Sequence, residues 1–384
     1  MASKPQALPS PIIVTGSCGF IGSHLVDGIL ALDPSSEIHV LDIKHRNLAN
    51  GVKYHLTDVS DAAAIDAIFH KIKPKVIFHV ATADALSRND SILRRVIVDG
   101  THNVLTSAIK VATVQAFVFT STSSLVHDNV SDLINADETF PVLQYPQQKK
   151  AYTLCKAVAE AEVLAANNTA AENGMLTGAI RPVTNFGPRD YTMTGKMVAS
   201  IREGKGRYQI GNGQNIFSFT YVSDTVDAHL LLATALVRIY GTAPTRLDAA
   251  KSSGSREEVD RPDGQAFNVT NDEDWLFWDF QRALATSIGH PIDPASVIVV
   301  LFWLAVSMAW LAEWLKWIVT FGRGKSAVTW EAIYYTAHHR TVSCAKAKRV
   351  LGYKPRVKMQ EGMDITGKWF VELEKNPKRE AGNE

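Results

Sequence analysis

From Ile12 onward the chain alternates between short, continuous apolar runs and longer segments with helical spacing. Ile12–Thr15 is the first run and enters a glycine-rich turn. Ile21–Leu32 follows, with apolar residues recurring at three- and four-residue intervals. Ile38–Ile43, Val76–Val80, Ala116–Thr120 and Met175–Ile180 repeat the strand pattern, and Ala62–Lys71, Val96–Lys110 and Tyr152–Asn167 repeat the helical one. Runs with no polar alternation suit strands buried on both faces. With helices between them they predict a doubly wound parallel α/β sheet.

Beyond Pro188 the pattern loosens. Asp248–Gly264 is polar and charged, the composition of a solvated insertion or a lid. The stretch from Ala295 to Phe321 is the most apolar in the chain, and Ala295 to Ala312 carries no charge.

The 384 residues fit two domains, or one large domain with a smaller lobe, and 46% apolar with 21% charged residues is a globular composition. A net charge of +1 and the absence of a basic block argue against nucleic acid as a partner. The three cysteines, Cys18, Cys155 and Cys344, are widely separated and suggest neither metal-ligand spacing nor a disulfide framework. No metal site is expected. With no disulfide framework a reducing compartment fits best, and MASKPQALPS lacks the apolar run of a signal peptide. Asn-x-Ser/Thr sequons begin at Asn129, Asn167 and Asn268 and read as chance in that setting.

The first chemistry-bearing motif is IIVTGSCGFIGSHLV. Gly16, Gly19 and Gly22 follow a strand and open a helix in G-x-x-G-x-x-G spacing. The turn is tight, a pyrophosphate needs close backbone approach, and the helix start with Phe20 and Ile21 offers free N–H groups to phosphate. Asp42 ends the second strand, 20 residues after Gly22, where a carboxylate accepts from adenosine ribose hydroxyls and repels a 2′-phosphate. NAD is therefore favoured over NADP, although Lys44 and Arg46 lie close by. Asp58 and Val59, in LTDVSD, follow a third strand candidate near the adenine position. Asp58 could instead cap the next helix, a role open equally to Ser60 or Asp61. Ala81, in HVAT, and Pro182, after Arg181, lie at the ends of later strands bordering the cofactor path. The expected division is a Rossmann domain over 1–190, rejoined around 216–240, and a smaller, mainly helical substrate lobe over 191–384 with an apolar helix at 295–321.

Tyr152 and Lys156 are four residues apart and share a helical face. An adjacent ammonium favours the phenolate and should lower the phenol pKa, making Tyr152 a base. The preceding strand ends in FVFTSTSSLVHD, where Thr122, Ser123 and Ser124 compete to hold a substrate oxygen.

Taken with VIFHVAT, DGTHNVL, YTLCK, AIRPVTNFGPRD, FTYVSDTVDAHLLLA, FNVTND and KAKRVLGYKP, these stretches make the chain resemble an extended short-chain dehydrogenase/reductase of the 3β-hydroxysteroid dehydrogenase family, most like its decarboxylating fungal sterol members. The resemblance runs from Ile12 to about Phe370. It implies oxidation of a sterol or terpenoid 3β-hydroxyl by NAD, with decarboxylation if C4 carries a carboxyl group. It puts the catalytic hydroxyl on Thr122, where Ser is more usual, with Ser123 an alternative. Ile97 and Ser223-Asp224 also depart from the usual pattern. Rival readings are a ketone or aldehyde reductase or sugar-nucleotide epimerase on the same fold, and a non-catalytic NAD-binding sensor. The resemblance further implies the cytoplasmic face of the endoplasmic reticulum or a lipid droplet, with a homodimer or sterol-demethylation enzymes as partners.

Trp303, Trp310, Trp314 and Trp317 share one helical face, opposite Ala305, Ala309, Ala312 and Lys316. Such a face suits peripheral membrane association, with a buried core helix or a membrane span as alternatives.

Overall fold

The computed structural model describes residues 5–85, 87, 89–168, 174–242, 261–320 and 329–376. The polar stretch expected as a loop or lid lies outside these through residue 260. Seven parallel strands form the central sheet: β1 Ile12–Thr15, β2 Ile38–Asp42, β3 Lys53–Leu56, β4 Val76–His79, β5 Ala116–Thr120, β6 Leu176–Pro182 and β7 Gln265–Val269. Their order is β7-β6-β5-β4-β1-β2-β3. The order reverses between β1 and β4, so the chain is a Rossmann-type doubly wound sheet with its ligand crevice at the strand carboxyl ends there.

Each face of the sheet has its own apolar layer. Ala116 and Val118 of β5 pack with Leu25, Val26, Val226 and Leu230, from helices Phe20–Leu32 and Val222–Ile239. Phe117 and Phe119 point the other way and pack with Ile65, Val104, Ala159 and Val163, from helices Ala62–Ile72, Gly100–Val111 and Ala151–Ala165. Strand alternation thus sends neighbouring residues of β5 to opposite faces. The helix leading into Gly100 is π-type over Arg94–Asp99, ending on the first residue of DGTHNVL.

A second sheet gathers distant segments: Asp274–Leu276, Ile216–Tyr221, Arg340–Val342 and Leu133–Ala136 lie side by side, and Thr184–Phe186 also pairs with Ile216–Tyr221. This pairing sets Arg340 opposite Leu133 and Phe217. Helices Met193–Arg202, Phe277–Ser287 and Met359–Lys375 pack around an aromatic core that includes Phe186, Phe219 and Phe280.

The apolar segment departs from the expectation of a helix over 295–321. Ile298–Val300 is a strand parallel to Tyr208–Ile210, and the helix runs from Phe302 to Val319. Val297 to Val300 is a β-branched run after Pro294, which suits a strand better than a helix. Only Ala305 and Ala309 of that helix are buried, against Ile333.

Candidate active site

The cradle for a dinucleotide is built at the reversal point. Gly16 leaves β1 with φ +70°, and a Cβ there would lie 2.5 Å from Ala81 Cα. A Cβ on Gly22 would lie 2.4 Å from the Gly16 carbonyl oxygen. Loop, helix and β4 end close on one another through these glycines. Gly19 caps the helix with no side chain, so the first-turn amides at Phe20 and Ile21 are available to a phosphate.

Asp42 sits at the tip of β2, its Oδ2 accepting the Cys18 N–H at 2.9 Å and its Oδ1 the Lys44 N–H at 3.2 Å. Burial raises its pKa above the ordinary carboxylate value, against the pull of these amides. Arg46 lies with its guanidinium 5.1 Å from the Tyr191 ring centre. Asp61, not Asp58, caps the helix Ala62–Ile72 by accepting the Ala64 N–H at 3.0 Å. Asp58 instead accepts the Ser60 N–H at 2.9 Å and lies 3.8 Å from Arg95. Val59 is buried against Gly100, where a Cβ would come within 2.6 Å of Val59 Cγ2. The β4 end is fixed by a buried network: the His79 ring pairs with Thr15 Oγ1 at 2.7 Å and Thr101 Oγ1 at 2.9 Å, and Ala81 N–H donates to Thr15 Oγ1 at 3.2 Å. Burial first, then the Lys156 charge, push the His79 pKa down to about 3, so the ring is neutral. Pro182 ends β6 in register with Val269.

Tyr152 and Lys156 stand on the first turns of the helix Ala151–Ala165. Lys156 is buried; its ammonium donates to the Thr120 carbonyl at 2.8 Å and lies 4.7 Å from the Phe119 ring centre. Burial lowers its pKa to about 7, partly offset by Glu160. The Tyr152 phenol is hydrogen-bonded to the Thr82 side chain, and burial raises its pKa to about 12. The expected lowering by Lys156 is therefore overridden here, because the phenol's desolvation dominates and the ammonium turns to the Thr120 carbonyl. One turn further on, Glu160 accepts Arg181 Nε–H at 2.8 Å, an ion pair buried on both sides that ties this helix to β6.

Thr122 begins a short 3₁₀ turn, Ser123–Val126, its Oγ1 accepting the Ser124 N–H at 3.2 Å and bonding the Ser124 hydroxyl at 3.2 Å. Thr122 is half-buried, whereas Ser123 is buried. The helix bearing Tyr152 packs on this turn.

Two cations around the Tyr335 ring carried no sequence motif. Lys150 immediately precedes that helix, and its ammonium is 5.9 Å from the Tyr335 ring centre. Arg340 is buried, with its guanidinium 4.5 Å from the same ring centre and NH1 donating to Asn129 Oδ1 at 3.1 Å. Asn129 Nδ2 donates in turn to Gln148 Oε1 at 3.3 Å, which accepts the Lys150 N–H at 2.7 Å. Burial lowers the pKa of both cations. Among the described residues neither forms an ion pair with a carboxylate. Proximity to Tyr152 could have flagged Lys150. Arg340 has no local signal and arrives by strand pairing from 188 residues downstream of Tyr152.

The family model of the 3-beta hydroxysteroid dehydrogenase/isomerase family matches residues 13–299. Decarboxylating sterol-4-alpha-carboxylate 3-dehydrogenase of Saccharomyces cerevisiae is 30% identical over 370 residues, covering 94% of this chain and 98% of that protein. The enzyme of the same name from Mus musculus is 31% identical over 372 residues, covering 94% and 91%. Among solved structures, dTDP-glucose 4,6-dehydratase from Bacillus anthracis in complex with NAD superposes with a TM-score of 0.63 at 18% identity, covering 96% of this chain and 97% of that one. At that identity the likeness speaks for the fold alone.

Proposed function

The chain belongs to the 3-beta hydroxysteroid dehydrogenase/isomerase family, and within it we propose that it oxidises the 3β-hydroxyl of a 4α-carboxysterol with NAD, with loss of carbon dioxide. It is an oxidoreductase of that family. The observation that carries the choice of substrate is the pair of cations around Tyr335, half-buried Lys150 and buried Arg340, two residues in sequence from Tyr152 at the nearer end. A buried cation without an anionic partner is costly, and a substrate carboxylate would complete it.

NAD fits the cradle. Gly16, Gly19 and Gly22 leave room for the pyrophosphate, the amides at Phe20 and Ile21 face it, and Asp42 meets the ribose with Asp58, Val59 and Ala81 around the adenine side. The Asp42 carboxylate repels a 2′-phosphate, and the Arg46 guanidinium lies over the Tyr191 ring, which together favour NAD over NADP. When bound, the nicotinamide accepts the hydride released from C3. Tyr152 takes the hydroxyl proton as its phenolate, the form that its burial disfavours and the positive charge of Lys156 one turn on favours, while Thr122 holds the oxygen. Oxidation leaves a β-keto acid. Its C4–carboxyl bond breaks with the electron pair passing to the C3 oxygen, where Thr122 and the protonated Tyr152 stabilise the enolate.

The helix Phe302–Val319 turns its tryptophans outward: Trp303 is 64% exposed and Trp317 60%. This supports peripheral attachment to the cytoplasmic face of the endoplasmic reticulum or a lipid droplet, where sterols partition.

The test is purified protein and NAD with paired 3β-hydroxysterols, with and without a 4α-carboxyl group, in wild type and Arg340→Met. NADH and carbon dioxide should form together on the carboxylated substrate. Arg340→Met should lose roughly a hundredfold in kcat/KM there, the order expected when one partner of a buried ion pair is removed. On the plain sterol it should change little. Absence of NADH from every sterol would overturn the reading.

A further inference from the structure

His229 is fully buried in the middle of helix Val222–Ile239, within the apolar layer opposite the helix that carries Lys156. Both ring nitrogens are engaged: Nδ1 with the Thr225 carbonyl at 2.8 Å, and Nε2 with Thr120 Oγ1 at 2.7 Å. A carbonyl only accepts, so Nδ1 carries the proton and Nε2 accepts the Thr120 hydroxyl. Burial lowers the ring's pKa to about 4, which keeps this neutral tautomer through the physiological range.

Thr120 is the last residue of β5, and its carbonyl is the acceptor of the Lys156 ammonium at 2.8 Å. Its side chain follows Ala116 and Val118 to one face of the sheet, while Phe119, whose ring carries Lys156, lies on the other. One residue thus joins a histidine on one face to the candidate catalytic lysine on the other. Two apolar side chains would fill the Thr120–His229 site without desolvating a hydroxyl and an imidazole. The pair therefore has a use beyond packing.

We infer that His229 is a positioning residue: by clamping the Thr120 hydroxyl it fixes the Thr120 carbonyl, and that carbonyl holds the Lys156 ammonium where it serves Tyr152. The inference rests on the reading of Lys156 as a catalytic residue. The other charged or titratable groups near Lys156 are Glu160 on its own helix, paired with Arg181 of β6, neutral His79 of β4, and Tyr152 one turn before it on the same helical face. None of these touches His229.

The experiment compares Thr120→Val, Thr120→Ser, His229→Leu and His229→Gln with wild type and Lys156→Ala, reading kcat, sterol KM, thermal stability and the pH profile of NADH formation. An ammonium with a poorly held acceptor gives up its proton more readily. Thr120→Val and His229→Leu should therefore shift the alkaline limb of the profile to lower pH and reduce kcat about tenfold at neutral pH, with sterol KM within twofold. Thr120→Ser should restore the wild-type profile. So should His229→Gln, whose amide oxygen can accept from Thr120 while its NH₂ donates to the Thr225 carbonyl, and this second pair carries the test if the valine variant does not fold. Wild-type profiles in Thr120→Val and His229→Leu, or equal defects in all four that follow only melting temperature, would overturn the inference. Full turnover in Lys156→Ala would instead overturn the reading of the site itself.

Discussion

The Asp42 carboxylate accepts the Cys18 backbone N–H at 2.9 Å, tying the tip of β2 to the glycine turn that follows β1. The residue proposed to recognise a ribose therefore also holds the loop proposed to face the phosphates. Asn47 secures the same turn by donating to the Cys18 carbonyl at 3.1 Å. On that proposal, selectivity and loop geometry depend on one side chain, and replacing it with alanine confounds the two.

Asp42→Asn separates them. Its amide oxygen can still accept the Cys18 N–H, while the charge that repels a 2′-phosphate is gone. Hydrogen bonds to charged groups contribute about 1.5–3 kcal/mol, so the kcat/KM preference for NAD over NADP should narrow roughly ten- to a hundredfold. Asp42→Ala should in addition weaken both cofactors, because the turn loses its acceptor. An unchanged preference in Asp42→Asn would mean that this carboxylate does not meet the ribose.

Lys156 gives a prediction about stability. Its folded-state pKa, about 7, lies well below the 10.5 of a free lysine. Between those values the unfolded chain binds more protons than the folded one, so this residue's contribution to stability rises with pH from about 7 to about 10.5. Lys156→Met removes the buried charge and leaves Glu160 with its partner Arg181. The variant should melt higher than wild type near pH 7, the gap should close toward pH 10, and turnover should be lost. Parallel melting curves across that range would show that the ammonium is not destabilised by its surroundings.

Much of the sheet was legible because its strands are buried on both faces and read as unbroken apolar runs. Ile12–Thr15 and Ala116–Thr120 appear with the same bounds in the structure. The glycine turn was legible because close backbone approach leaves glycine little alternative. Less could be read where partners are distant. Lys53–Leu56 is an edge strand with exposed ends and a weak pattern, and Gln265–Val269 rejoins the sheet after a long excursion. Arg340 reaches Tyr335 and Asn129 from a strand that pairs with Leu133, and His229 reaches Thr120 through the sheet, so neither had a local signature. The pKa of Tyr152 was misjudged for a related reason. Sequence spacing shows which residues share a helical face but not how deeply each is buried.

The choice of hydroxyl can be decided by paired substitutions. Thr122 presents a half-buried side chain at the start of the turn on which the Tyr152 helix packs, whereas Ser123 is buried. Thr122→Ala should cost about a hundredfold or more in kcat, as loss of one donor to a developing oxyanion does. Thr122→Ser should recover most of it, and Ser123→Ala should cost much less. The opposite order would move the role to Ser123.

The exposed tryptophans allow a membrane test that does not depend on catalysis. On the helix Phe302–Val319 only Ala305 and Ala309 are buried, and Trp310 and Trp314 stack outward at 6.4 Å between ring centres. A tryptophan ring is apolar while its N–H still seeks a polar partner, which favours the headgroup boundary over either bulk phase. Glu313 accepts the Trp330 N–H at 3.1 Å and so anchors the helix to the protein, an arrangement suited to lying in the plane of a membrane. A charged residue held there would be costly at a bilayer centre. Changing Trp303, Trp310 and Trp314 together to Ser should therefore release the protein from liposomes in a flotation assay. Because these side chains are exposed, the melting temperature should fall by no more than a few degrees. If the triple variant instead unfolds, and the parent protein never floats with liposomes, the tryptophan face is covered by protein and the membrane reading is wrong.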